Sequence, residues 1–330
     1  MISIMQKKFL GIQMKKIIIL NLLLMLFYAC NVTTNSQRRA ITDVGEASEH
    51  LGIIILSELL KLRKETIEMN RISLELKGAV RPNNLDSNFD IETVSIRIKA
   101  AKTLVNYGRL LLSLTKDNQE EKARKACKEL FKNISQFNTL FSSRPYVEII
   151  AGRYKQTVNR PFSISSLEQL ENLNHSIQEL GGIFQKIVFF YYHAKKFKIL
   201  KKTICSYNYD IKKLCYLLMN DFSLNGKGLI RDYKNTLDIL ENSVSGLRFI
   251  NDYSQRKAAV EGYSLILKNR EKIHLFAPNI ESALKAFIEA NNILVIHLEE
   301  NEKSDLSEIN TLAINIKELT EDSIPFSYKE

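Results

Sequence analysis

Seven lysines between Lys195 and Lys213 are the residues best placed to do chemistry in this chain, and that chemistry is neutralisation of a polyanion. The stretch reads HAKKFKILKKTICSYNYDIKK, in which Lys195, Lys196, Lys198, Lys201, Lys202, Lys212 and Lys213 stand against Asp210 alone, a local charge of +6. A second set, Lys122, Lys125, Lys128 and Lys132, is spaced three or four apart and so shares one face of a helix. Lysines on helices are ordinarily a solvated face, but here the compensating acids are almost missing. Ammonium groups neutralise phosphates and release their counterions, and the interleaved Tyr191, Tyr192, Tyr207 and Tyr209 can hydrogen-bond phosphate or stack on an exposed base. No helix-turn-helix or zinc-finger pattern offers base readout, so such binding ignores sequence and weakens steeply with salt. A glycosaminoglycan or anionic lipid headgroups would suit the same lysines.

Other chemistry finds little support. His50, His175, His193, His274 and His297 show no metal-ligand spacing and read as surface or satisfied core histidines. Gly226-Lys227-Gly228 lacks the preceding strand and the spaced Gly-Lys-Ser/Thr of a phosphate loop. No nucleophile elbow or catalytic-cysteine neighbourhood occurs. The expectation is a protein with no catalytic residues, no metal and no cofactor. Cys127, Cys205 and Cys215 form no disulfide framework and read as buried apolar thiols.

Cys30 carries a different chemistry. Met14-Lys15-Lys16 precedes an apolar run from Ile17 to Ala29 that is short for a bilayer span and has the form of a signal peptide, with Met14 the better start. It ends in Leu26-Phe27-Tyr28-Ala29-Cys30, and a small residue before Cys is what a bacterial lipoprotein signal peptidase requires. Phe27 and Tyr28 depart from the commonest lipobox. Residues 1–29 are therefore expected to be removed, Cys30 lipidated, and 30–42 to form a flexible tether. Loss of Lys7, Lys8, Lys15 and Lys16 takes the formal charge from +10 to +6. From Glu281 to Glu330, 11 acids face 4 lysines, so that segment is acidic at −7 and residues 30–280 carry +13.

These groups need scaffolding, and composition makes it helical. With 12 Gly, 5 Pro and no Trp in 330 residues, turn signals are too sparse for an all-β or repeated βαβ design. The fold class expected is all-α, an elongated helical bundle occupying 43–320 as one domain, with a frayed tail at 321–330. Periodicity and breakers place helices over 43–77 and 90–116 and a third that Asp117-Asn118 open and that continues to about Phe141, with Glu120 and Glu121 in its first turn. Arg97, Lys99, Lys102 and Arg109 are assigned to the outer face of the second helix. Residues 142–161, with Pro145, Gly152 and Pro161, are the least regular. Leu170, Ile177, Phe184 and Tyr191 recur every seven residues beside Leu173, Leu180, Ile187 and Ala194, the a/d pattern of helices packed lengthwise. Gly181-Gly182 inside that seam would cost roughly 2 kcal/mol relative to alanines. Ser206–Asp210 reads as a tip or kink. A long helix over 229–273, closed by Pro278, is the expected antiparallel partner of the seam, and two further helices cover 279–301 and 305–319. The seam can be satisfied within the chain or by a second copy.

The leader MKKIIILNLLLMLFYAC and the long Lys/Asn/Ile/Leu-rich body resemble the lipoproteins of Borrelia spirochaetes, and among them are most similar to paralogous family 12. The resemblance implies an all-helical protein with coiled-coil similarity to SMC-family proteins, anchored in the outer membrane and binding DNA without sequence preference. It assigns no binding residues; the lysines named above follow from charge density. The competing expectation is a surface lipoprotein that binds host proteins or glycosaminoglycans, as an adhesin or in immune evasion. Surface and periplasmic exposure both fit the leader.

Overall fold

The computed structural model describes residues 34–78, 85–86, 89–142, 168–169, 172, 182–226, 228–246, 252–300 and 306–321. Among them are seven helices and no strand: α1 (Asn35–Leu76), α2 (Ile91–Thr115), α3 (Glu120–Ser142), α4 (Gly182–Phe222), α5 (Leu229–Ser245), α6 (Tyr253–Glu300) and α7 (Ser307–Glu321). The fold is all-α. One contiguous core runs through the helices, from Ala40 and Ile41 on α1 to Ile309 and Ile316 on α7.

Local chemistry sets several helix ends. Thr34 and Gln37 form a reciprocal capping box, the Thr34 hydroxyl accepting from the Gln37 N–H at 3.2 Å while the Thr34 N–H donates to Gln37 Oε1 at 3.0 Å. This starts α1 at Asn35, so residues 35–42, expected as part of the tether, are helical. Asp90 caps α2 by accepting from the Thr93 N–H at 2.6 Å. Asn118, with φ 56°, turns the chain between α2 and α3, as an asparagine does more readily than most residues.

α1 is the spine. It packs antiparallel on α2, with Ser48 donating to the Leu104 carbonyl at 2.8 Å and Arg63 to the Phe89 carbonyl at 3.1 Å. The two axes come close at Gly108 and Gly52: a Cβ on Gly108 would sit 2.6 Å from the Glu49 nitrogen, and one on Gly52 2.8 Å from the Ala101 carbonyl. α6 runs antiparallel along α1 in turn, from Gln37–His297 at one end to Arg71–Glu261 at the other. Between these points buried Lys272 is held by Glu58 and Glu65, each at 3.1 Å. Lys272 is therefore a core residue.

Three helix boundaries differ from those expected. The helix expected over 229–273 ends at Ser245, where Gly246 caps it, and a new helix begins at Tyr253. Pro278 lies inside α6 and does not end it. An interior proline costs about 3 kcal/mol. Phe276, Ile280, Leu284 and Phe287, all at most 1 % exposed, contribute about 1.5–3 kcal/mol each, so packing wins. α4 passes through Ser206–Asp210 without a break, because Ile204, Tyr207 and Ile211 keep one buried face across it. Gly182 is the first described residue of α4, and Gly181 lies outside the described residues.

The expected lengthwise pairing is also revised. α4 lies antiparallel to α6, through Phe222–Phe276, with ring centroids 5.3 Å apart, and Asn208–Asn291 at 2.9 Å. Leu170, Ile177, Leu173 and Leu180 lie outside the described residues, as do residues 143–161. Arg97, assigned to the outer face of α2, is buried: its guanidinium donates to both carboxylate oxygens of Asp221 at 2.9 and 3.0 Å and to the Thr93 carbonyl at 2.6 Å.

Candidate functional site: a basic flank on two parallel helices

α3 and α4 lie side by side and run the same way. Tyr192 donates to Glu120, and Asn138 donates to Asp210 at 3.1 Å, so contacts 18 residues apart on each helix share the same offset of 72 (192 minus 120 and 210 minus 138). Lys195, Lys198, Lys201 and Lys202 accordingly lie level with residues 123–130 of α3. Two clusters separated by more than sixty residues of sequence stand at the same level on neighbouring helices.

On α3, Lys122, Lys125, Lys128 and Lys132 are all exposed. Glu121 before them and Glu129 between them are exposed too, so the row is less purely basic than the lysines alone imply. Toward α2 the row borders an open groove of about 420 Å3, where Lys122 and Lys125 meet Arg109 and Lys116, with Glu49 and Glu129 on its walls. Arg109 is held by Glu49 at 2.8 Å. Charge runs along the sequence did not single out Arg109 and Lys116 as site residues. A readable signal was nevertheless present: two helices joined by a short turn bring residues equidistant from Asp117-Asn118 together.

On α4 the lysines diverge. Lys198 and Lys202 are exposed, and Lys195, Lys201 and Lys212 are half-buried, with Lys195 donating to Gln169 at 2.8 Å. Lys196 is corrected from phosphate ligand to structural residue. It is 5 % exposed, its ammonium donates to the Lys116 carbonyl at 2.5 Å, and it sits 5.5 Å from the Tyr192 ring centroid. Burial pulls its pKa below the ordinary lysine value, with Asp117 opposing. Lys213 is also drawn inward, donating to Asn138 Oδ1 at 3.0 Å beside the Phe137 ring; burial lowers its pKa while Asp210 raises it. Burial raises the Asp210 carboxyl in turn.

The tyrosines divide similarly. Tyr192 and Tyr207 are 2 % and 3 % exposed and belong to the core, so neither offers a stacking surface; Tyr191 is exposed and Tyr209 half-buried. Burial pushes the Cys127 and Cys205 thiols up to about 11. Cys30 lies outside the described residues. Among those described, no three His, Cys, Asp or Glu side chains converge as a metal site, and no helix is long and apolar enough to cross a membrane.

The fold and its flank define a helical bundle with a basic side. A scan against protein-family models, a search of curated proteins and a search of solved structures each find no match to the chain.

Proposed function

We propose that this chain is a lipid-anchored protein of a bacterial cell envelope that binds DNA without sequence preference, through phosphate contacts along the α3–α4 flank. The observation that carries the reading is the shared register of the two helices, which sets exposed Lys122, Lys125, Lys128 and Lys132 level with exposed Lys198 and Lys202. The row from Lys122 to Lys132 spans about 15 Å at 1.5 Å per residue, and duplex DNA carries about one charge per 1.7 Å of axis. Several phosphates therefore fall within reach. Lys201 and Lys212 extend the flank, whereas Lys196 and Lys213 support it from behind.

Gel shift of the full chain in detergent with two unrelated duplexes tests the reading. The expected result is equal affinity for both, falling as salt rises. No shift at low salt, or strong preference for one duplex, overturns it.

One feature favours a second reading, a surface lipoprotein that binds a host protein. Tyr253, Val260, Tyr263 and Leu267, spaced by seven, three and four on α6, are 75, 71, 57 and 61 % exposed. That reading requires protein affinity insensitive to heparin, which a polyanion-binding flank does not give.

A further inference from the structure

We infer that the outward ridge of α6, from Tyr253 to Leu275, is the surface on which two copies of this chain pair, their α6 helices running antiparallel about a two-fold axis. The inference is independent of the DNA-binding reading, whose lysines lie on α3 and α4.

Over this stretch α6 buries one face and leaves the opposite one in solvent. Ala258, Gly262, Ile266, Asn269 and Ile273 are buried, and a Cβ on Gly262 would touch Val244, Ile72 and Leu240, so that face lies against α1 and α5. On the other side Tyr253, Val260 and Leu267 recur every seven residues, with Tyr263 and Leu275 at the edges; in that order they are 75, 71, 61, 57 and 53 % exposed. Single exposed apolar residues are ordinary, but a seven-residue row of them is the seam on which another helix lies lengthwise. Two tyrosines of about 200 Å2 and three aliphatic side chains of about 100 Å2, weighted by those exposures, offer roughly 450 Å2 per copy and about 900 Å2 for a pair. With its charged rim added, the contact reaches the roughly 1,000 Å2 that a specific interface needs.

Charge selects a second copy as the occupant and fixes its direction. In a parallel pair each ridge residue meets its own copy, which sets exposed Arg256, Lys257 and Glu271 against like charges. Turned end for end about an axis at Tyr263 and Ser264, the ridge instead meets itself in complementary register. Residues at nearly equal distance from the axis then face one another: Val260 and Leu267, Tyr253 and Leu275, Lys257 and Glu271, Glu261 and Lys268. Each contact is made twice, because a two-fold interface is self-complementary. Arg256 comes opposite the second copy's Arg270, whose charge is already held by Glu241 and Asp238 of α5. Tyr263 packs beside its own copy at the axis.

The test is the mass of the full chain in detergent, measured by sedimentation at micromolar concentration, together with disulfide trapping. The wild type is expected at twice the mass of one chain. The Val260→Glu, Leu267→Glu double variant should fall to the mass of one chain with its melting temperature kept, since both side chains are exposed. Ser264→Cys, at the axis, should give a covalent dimer on mild oxidation. Glu271→Cys, on the same ridge, should give none beyond the wild-type background of Cys127, Cys205 and Cys215, because its two copies stand about 20 Å apart in the antiparallel pair. Trapping by both cysteine variants is the mark of a parallel pair and overturns the inference. A wild type at the mass of one chain overturns it too and leaves the ridge to some other protein. A dimer that persists in the double glutamate variant overturns it, since the contact then lies elsewhere. If the double variant unfolds, trapping at Ser264→Cys without trapping at Glu271→Cys upholds the pairing, and any other trapping result overturns it.

Discussion

Arg97 and Asp221, 124 residues apart, form a bidentate ion pair in which the carboxylate is fully buried. Asp221 also accepts from the Leu229 backbone N–H at 3.3 Å, so one side chain fixes α2, the end of α4 and the start of α5. Removing one member leaves the other charge buried without compensation, which typically costs 3–5 kcal/mol. Arg97→Met and Asp221→Ala are each expected to lose about that much in urea unfolding. The double substitution should lose clearly less than the sum of the two. Additive losses would show that the pair is not coupled.

Gly108 sets the distance between α1 and α2. An alanine there gains about 1 kcal/mol of helix propensity. Its Cβ, however, would lie 2.6 Å from the Glu49 nitrogen, and backbone cannot rotate away as a side chain does. Overpacking of this kind costs about 1–3 kcal/mol, so the net effect of Gly108→Ala is destabilising. Gly246→Ala, whose Cβ would meet, among the described residues, the Asn242 carbonyl alone at 3.2 Å, should be close to neutral. Equal melting temperatures for the two variants would contradict the close approach.

The helical class was legible because the signals for it are local: sparse glycine and proline, and caps such as Asp90 and the acidic first turn of α3. The α1 start was equally local, since Thr34 and Gln37 have capping-box spacing, but the polar composition around them argued for a tether. Pro278 and Ser206–Asp210 do not break their helices because neighbouring helices, not the local sequence, decide whether such residues are tolerated. The fates of Lys196 and Lys272 were hidden for another reason. A lysine stem is apolar enough to be buried wherever the ammonium finds a carbonyl or carboxylate, and those partners lie 80 and more than 200 residues away. Charge density finds a basic segment; only the fold says which of its lysines face out.

Acid should destabilise the protein through its histidines. Burial holds both His50 and His193 below the ordinary value of 6.5. Around His50, Glu321 pulls the value up and Lys317 pushes it down; around His193, Asp117 pulls it up while Lys196 and Arg38 push it down. Below pH 6.5 the unfolded chain takes up protons that the folded chain refuses, so stability falls as pH drops through 6.5 toward the lowered folded values. Asp210, raised by burial, acts with the opposite sign above 3.8. Thermal melts from pH 7.5 to 5.5 should show a falling melting temperature, flattened in the His50→Asn, His193→Asn double variant. A wild-type profile no steeper than that of the variant would rule out these histidines as the cause.

Two pairs of substitutions separate a binding lysine from a structural one on the same helix. Lys198 and Lys202 are exposed, so reversing both to Glu should leave the melting temperature nearly unchanged while weakening every duplex alike. The slope of log affinity against log salt should flatten by about 0.9 for each phosphate that is no longer neutralised. Lys196→Met inverts that pattern. Its ammonium is removed from the Lys116 carbonyl and from Asp117, and a hydrogen bond from a charged group contributes about 1.5–3 kcal/mol. The protein should melt earlier, yet at temperatures where it is folded its salt slope should match the wild type. If Lys196→Met flattens the slope while Lys198→Glu and Lys202→Glu do not, the phosphates lie on the other side of α4 and the flank has been assigned to the wrong face.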